Sequence, residues 1–276
     1  MSALKIIPVM MRQIKSLVLL IFFSAFAFSV KPSLALTINN KSVSDTLKVL
    51  TIGNSFADNA CHFLSEITQS VEGCNILIQK ANLGGCSLDR HAGLIEKSEQ
   101  DPSTKPYNGK SLKELLQSNN WDVVTIQQVS GNSFRKETYQ PYADKIVDYV
   151  KKYAPHSRVY IHQTWPYAPD CKRLEEYDIS FKEMYKKLNK NYKTLAKRYD
   201  ATRLESGDAF YLAHKKNGDV DLWSPSDRYH ASPNGCYLAG CVWFSQLFGV
   251  SPEKITFVPK DMPAETAQFL RKIASK

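Results

Sequence analysis

The 276-residue sequence has no G-x-G-x-x-G run after a strand and no G-x-x-x-x-G-K-[ST] run. Without those glycines a backbone cannot wrap a pyrophosphate, so dinucleotide and phosphate-loop binding are poorly supported. The six cysteines (Cys61, Cys74, Cys86, Cys171, Cys236, Cys241) include no C-x-x-C pair and no cysteine–histidine spacing of the zinc type. They leave two possibilities, disulfides among about 15 pairings or buried free thiols, the second favoured for Cys241 inside an apolar run. No apolar run reaches the ~18 residues expected of a membrane span. There is no internal repeat and no low-complexity linker. The net charge is +9, the +5 left after the cleavage expected below is modest, and most lysines lie on helix-like stretches where a solvated face accounts for them. Nucleic acid is therefore not expected as a partner.

What is present begins with a secretory pattern. Arg12 and Lys15 precede a 14-residue apolar run, Leu17–Val30, and Ser33-Leu34-Ala35 follows as a small-x-small cleavage site. The expectation is a signal peptide over 1–35, a polar lead-in over 36–46, and a folded unit over 47–276. An uncleaved anchor is the alternative. Cleavage would lower the charge to +5, because residues 1–35 hold four basic residues and no acid. The mature chain is then expected in the periplasm or outside the cell, without stable membrane insertion.

After residue 46, strand-like and helix-like segments alternate. Strands are expected at Leu47–Ile52, Asn75–Ala81, Trp121–Gln127, Arg158–Gln163 and, weakly, Ala201–Glu205. The apolar spacing of Phe56, Ala60, Phe63, Leu64, Ile67 and Val71 predicts one helix, stopped at Gly73. Further helices are expected near 111–117, around Tyr142–Val150, over a basic stretch of about 174–198, and near 235–248 and 263–274. The alternation implies an α/β fold with a parallel sheet covered by helices on both faces. Sites in such folds lie at the carboxyl ends of the strands, near the switch in strand order. Ser55, Gly84-Gly85, Gln127-Gln128 and His162-Gln163-Thr164-Trp165 all fall there.

Ser55 sits in Gly53-Asn54-Ser55, at the corner between the first strand and helix. It reads as a helix cap, part of a phosphate turn, or a nucleophile. A serine nucleophile needs a base in hydrogen-bond reach and an acid that orients the base. The candidate pair is Asp227 and His230, in the loop SPSDRYHASPNG. A D-x-x-H spacing in a tight loop can set the carboxylate against the near ring nitrogen and leave the other free. Ser232 and Pro233 fit the cap and first position of the next helix. Cys86 is the rival nucleophile, but no His–Asp pair is better placed for it than for Ser55.

Gly53-Asn54-Ser55, Gly85 after the second strand, and Asp227-x-x-His230 before the last large helix together resemble the SGNH (GDSL-like) hydrolase superfamily. The segments IGNSF, NLGGCSL, WDVVTIQQVSG, HQTWPYA and DRYH are similar to a bacterial SGNH-like group classed as a domain of unknown function. The resemblance implies a three-layer α/β/α, flavodoxin-like parallel sheet. It also implies a serine esterase needing no cofactor and no metal, acting on a small-molecule or glycan ester. Ser55 would be the nucleophile, His230 the base and Asp227 its orienting acid, with the backbone N–H groups of Ser55 and Gly85 in the oxyanion hole. The superfamily usually places Gly-x-Asn after the third strand; here the stretch is Gln127-Gln128-Val129-Ser130-Gly131-Asn132. Gln128, nearest the strand end, is the expected third donor, with Asn132 the alternative and neither pointing inward the third possibility. Asn54, His162, Trp165 and Tyr229 are expected to line the substrate site. Trp165, Tyr167 and Tyr229 serve equally well as packing. The altered third-strand block keeps open a non-catalytic carbohydrate-binding or structural protein on the same fold.

Overall fold

A computed structural model of the chain describes residues 46–276. The expected signal peptide and almost all of the lead-in lie outside the described residues. Five strands form one parallel sheet: β1 (Leu47–Gly53), β2 (Ile76–Asn82), β3 (Val123–Ile126), β4 (Arg158–His162) and β5 (Thr202–Leu204). Their spatial order is β2-β1-β3-β4-β5. This is the flavodoxin-like order, with its switch point between β1 and β3. β1 and β3 are central and almost fully buried, which suits the sequences LKVLTIG and VVTI. β2 is an edge strand and alternates only weakly.

Helices α1 (Ser55–Ala60) and α2 (Leu64–Gln69) link β1 to β2. Helices α3 (Leu88–Gln100) and α4 (Leu112–Gln117) lead to β3, and α5 (Tyr142–Tyr153) leads to β4. Helices α6 (Lys172–Glu176) and α7 (Phe181–Tyr199) lead to β5, and α8 (Ser206–Lys216), α9 (Pro233–Phe248) and α10 (Ala264–Ala274) close the chain. Because parallel crossovers are right-handed, reversing direction after β2 sends the following helices to the other face. Accordingly α9 packs on α1, α2, α8 and α10, whereas α5 packs on α3 and α4. No helix among the described residues is long and apolar enough to cross a membrane.

The helix expected from Phe56 to Val71 is two helices, broken at Cys61–Phe63. At the break α9 comes close: a Cβ on Gly240 would stand 2.7 Å from Ile67 Cδ1 and 3.6 Å from the Ala60 carbonyl. The basic stretch is broken too. Asp178 has φ 49°, and Ser180 starts α7 with a reciprocal Ser180–Glu183 capping box. α3 and α8 were not foreseen. α3 carries Gly93 mid-helix and follows Gly84-Gly85, which reads as loop.

α9 is buried on nearly every side, and its start fixes the loop before it. Ser232 Oγ accepts from Gly235 N–H, with Pro233 in the first turn, as the sequence predicts. A Cβ on Gly235 would lie 2.1 Å from the Leu222 carbonyl oxygen, a backbone atom that cannot step aside cheaply. Gly93 has open space where its Cβ would be. Gly235→Ala should therefore lower stability by about 1–3 kcal/mol, and Gly93→Ala should raise it by about 0.5–1 kcal/mol. Urea unfolding of both variants checks this; equal midpoints would contradict the packing described.

Candidate active site

β1 ends at Gly53, where a Cβ would press on Gln127 Oε1 at 3.0 Å and Ala57 Cβ at 3.1 Å. Asn54, not Ser55, is the helix cap. Its backbone is extended (φ −147°, ψ −162°), and its Oδ1 accepts from Phe56 N–H at 3.1 Å. Ser55 then occupies the first helical position, with its hydroxyl released from capping. The Asn54 carboxamide is engaged twice more: Oδ1 accepts from Gln127 Nε2 at 2.8 Å, and Nδ2 donates to the Cys86 carbonyl at 2.9 Å. The cap thus ties the ends of β1 and β3 to the loop holding Gly85.

The other half of the site is the turn before α9. Asp227 Oδ1 accepts from the backbone N–H groups of Tyr229 and His230 (3.0 and 2.9 Å), and Oδ2 accepts from His230 Nδ1 at 2.6 Å. Burial opposes the charge on Asp227. The hydrogen bonds from His230 and the two N–H groups outweigh it and hold the carboxyl below the usual carboxylate range. Arg228 adopts φ 61° and bridges Asp170 (2.9 Å) and Asp221 (2.6 Å), pinning the turn from outside. From α1, Asn59 Oδ1 accepts from Ala231 N–H at 3.2 Å.

Across this junction Ser55 Oγ lies 2.7 Å from His230 Nε2. With Nδ1–H held by Asp227, Nε2 is the acceptor and the serine hydroxyl donates. The imidazole is held by the Tyr229 ring (centroids 4.5 Å) and by Phe56 (5.7 Å). Phe56 in turn stacks on Trp165 at 4.4 Å. The serine and imidazole open into a pocket of about 350 Å³ walled by Gly85, Ser130, Asn132, Tyr167, Tyr177 and Tyr229. Gly85 has φ 60° with free space at its missing Cβ, so glycine is required there by the backbone angle rather than by crowding. The N–H groups of Ser55 and Gly85 have no protein acceptor among the described residues. Donors of this kind can stabilise a developing oxyanion.

The model of a domain of unknown function, DUF4886, matches residues 48–276. The chain belongs to the DUF4886 family. It is similar to a solved DUF4886 family protein from Bacteroides uniformis ATCC 8492, with 26% identity and a TM-score of 0.76, over 84% of this chain and 94% of that one. It is also similar to a protein from Slackia heliotrinireducens described as a candidate SGNH hydrolase, with 22% identity, a TM-score of 0.55, and coverage of 74% and 100%. A third similar structure is a catalytic mutant of an acetylxylan esterase from Geobacillus stearothermophilus, with 13% identity, a TM-score of 0.51, and coverage of 76% and 98%. Comparison with curated proteins finds no match. This DUF4886 chain therefore has the SGNH hydrolase fold.

Three expected site residues are placed elsewhere in the DUF4886 chain. Gln128 is wholly buried and spent: Nε2 donates to the Thr138 carbonyl and hydroxyl, and Oε1 accepts from the N–H groups of Leu88 and Val129. It braces the loop after β3 and offers nothing to the pocket. Asn132, the alternative, lines the pocket. Its Oδ1 accepts from Arg135 at 3.2 Å, which leaves its Nδ2 the group without a partner among the described residues. His162 does not line the site. It is buried against Trp243, its Nδ1 donates to Gln127 Oε1 at 2.6 Å, and its Nε2 has no partner among the described residues. Trp165 is also buried, stacked between Phe56 and Phe210, with Nε1 donating to the Tyr229 carbonyl. Both support the site from behind. Asn54 and Tyr229 do line the pocket, and so does Tyr167.

Sequence reasoning missed Arg173 and Tyr177, because Arg173 opens a basic segment that reads as a solvated face. Asn59 and Arg228, which hold the histidine turn, carry no motif that singles them out in the sequence. All six cysteines are free and buried. Burial pushes the Cys86 thiol up to about 11, so it remains protonated and unsuited to nucleophilic attack.

Two buried histidines brace the floor. His91 joins Gly53 O (3.0 Å) to the Tyr107 hydroxyl (2.8 Å), and burial pushes its pKa from 6.5 down to about 4. Burial takes His162 down to about 3. In the unfolded chain both titrate near 6.5, so below about pH 6.5 the unfolded state binds more protons. Stability is then full above about 6.5 and falls as the pH drops toward 4, by up to about 1.4 kcal/mol per pH unit for each histidine. Urea midpoints at about pH 7 and 5 should differ less in His91→Gln than in the unmutated chain. Equal differences would contradict a neutral buried His91.

Proposed function

We propose that this chain is an exported serine esterase of the SGNH type that hydrolyses small acyl esters, acetyl groups on carbohydrate foremost. The observation that carries the proposal is the unbroken line from Ser55 Oγ to His230 Nε2 (2.7 Å) and from His230 Nδ1 to Asp227 Oδ2 (2.6 Å), facing a pocket. The size of the cleft supports a small acyl group, since the tyrosines crowd it. A Cβ on Gly131 would already meet the Tyr177 hydroxyl at 2.9 Å. The acetyl choice is supported by the shared fold of the acetylxylan esterase, which is an analogy of fold.

In the proposed reaction Ser55 Oγ attacks the ester carbonyl carbon as its proton passes to His230 Nε2. The carbonyl oxygen becomes an oxyanion facing the N–H groups of Ser55 and Gly85 and the Asn132 Nδ2. Collapse breaks the bond to the alcohol oxygen, which leaves with the proton from His230. Water, deprotonated by His230, then attacks the acyl-serine and releases the carboxylic acid, and the proton returns to Ser55. Asp227 stays ionised and stabilises the imidazolium in both halves.

Ser55→Ala and His230→Ala should lose both fluorophosphonate labelling and chromogenic acetyl-ester hydrolysis. Asp227→Asn should lower kcat on the order of 10⁴-fold. Asn132→Ala should lower kcat about 10²–10³-fold with little change in KM. Gln128→Ala should instead lower the urea midpoint, since it strips buried groups of partners worth about 1–3 kcal/mol. If the unmutated protein neither labels nor outpaces Ser55→Ala on any of several ester classes, the proposal fails.

A further inference from the structure

The pocket wall carries one permanent charge. Among the described residues that line it, Arg173 is the only lysine or arginine, and no carboxylate is present. Arg173 lies on α6, half-buried, with its guanidinium over the Tyr229 ring at 4.2 Å from the centroid. The Tyr229 ring is the one that packs on His230, so the charge stands one ring from the proposed reaction centre. The aspartates of the neighbouring loop are committed elsewhere, and Glu175 and Glu176, which share α6, do not line the pocket. Asp227 holds His230, and Asp170 and Asp221 hold Arg228. Among the described residues Arg173 has no ion-pair partner.

A second cation reinforces the field. Arg135 rests on the ring of Tyr177, the residue that caps α6, at 5.1 Å, and donates to Asn132 Oδ1. Both guanidinium groups therefore sit on aromatic faces that border the pocket and bring no anion with them. A partly desolvated cation without a counterion is costly unless a ligand supplies the charge. The planar guanidinium fork matches a carboxylate's two oxygens. One fixed lining charge balances a monoanion better than a doubly charged phosphate.

We propose that Arg173 is a specificity residue, and that the pocket selects ester substrates bearing a carboxylate close to the scissile bond. The acid belongs either to the alcohol side, as in an acetylated uronic-acid sugar, or to the acyl side, as in a half-ester of a short dicarboxylic acid. This deepens the esterase proposal by naming the substrate class of the same pocket.

The test is binding, so it does not depend on turnover. Calorimetry with Ser55→Ala compares two matched pairs: acetylated methyl galacturonide against acetylated methyl galactoside, and monoethyl succinate against ethyl butyrate. In one pair the acid-bearing member should bind on the order of tenfold more tightly than its neutral partner. Which pair responds identifies the side that carries the acid. Adding Arg173→Gln should bring that ratio close to one, and Arg173→Lys, which keeps the charge but not the planar fork, should keep only part of it. A structural role for Arg173 would weaken both members together and leave the ratio intact. The inference is overturned if neither pair discriminates, or if the ratio survives Arg173→Gln. An Arg173-dependent preference in a protein that hydrolyses no ester would sink the esterase proposal alone. An active esterase without the preference would sink this inference alone.

Discussion

The Asn54 carboxamide makes three hydrogen bonds at the switch point of the sheet, and the geometry of the site depends on them. Its Oδ1 takes the Phe56 N–H and the Gln127 amide, and its Nδ2 gives to the Cys86 carbonyl. Asn54 is almost fully buried, so each of these groups would cost about 1–3 kcal/mol if left unpaired. Those bonds fix where α1 begins, and with it the direction of Ser55. They also fix the end of β3 and the loop that presents Gly85. Behind Gln127 stands His162, whose neutral ring can only donate through the nitrogen facing Gln127 Oε1. The polar chain His162–Gln127–Asn54 is thus polarised in one sense, with every carboxamide orientation settled by its neighbour.

The second half of the site is held by different physics. Its turn contains a non-glycine residue in the left-handed region, Arg228. Two aspartates grip that side chain, and Asp227 folds back onto two N–H groups of the same turn. The turn is anchored by the tight start of α9, where Gly235 lies against the Leu222 carbonyl. The two halves meet through Ser55 and His230, and again through Asn59 and Ala231. Sequence neighbours of Ser55 therefore position the histidine loop from 172 residues away.

The parallel sheet and its strand positions were legible because they depend on local pattern. Ser55, distant in sequence from His230 and Asp227, was joined to them through the family resemblance, and the three are found within hydrogen-bond reach. Continuous β-branched runs mark buried strands, and D-x-x-H between two prolines marks a polar turn. What was not legible depends on side-chain direction and on tertiary approach. Gln128 and Asn132 carry the same amide, and the strand end alone does not say which turns inward. Leu88, 40 residues before it, and Thr138, 10 residues after it, claim Gln128. Trp165 and His162 carry good site chemistry but point behind the strand ends, where Phe56 and Trp243 enclose them. The break between α1 and α2 is set by α9, and no periodicity within residues 56–71 reports it. Arg173 was hidden by its neighbours, since a cation at the head of a lysine-rich segment carries no local sign of facing a pocket.

The central claim is that the hydroxyl held 2.7 Å from His230 is a nucleophile rather than a packed polar group. The direct measurement is intact-protein and peptide mass spectrometry after acid quench during turnover of an activated acetyl ester. The account predicts the mass of one added acetyl group, located on Ser55, absent in Ser55→Ala and longer-lived in Asp227→Asn. No acyl adduct, or one located away from Ser55, would contradict it.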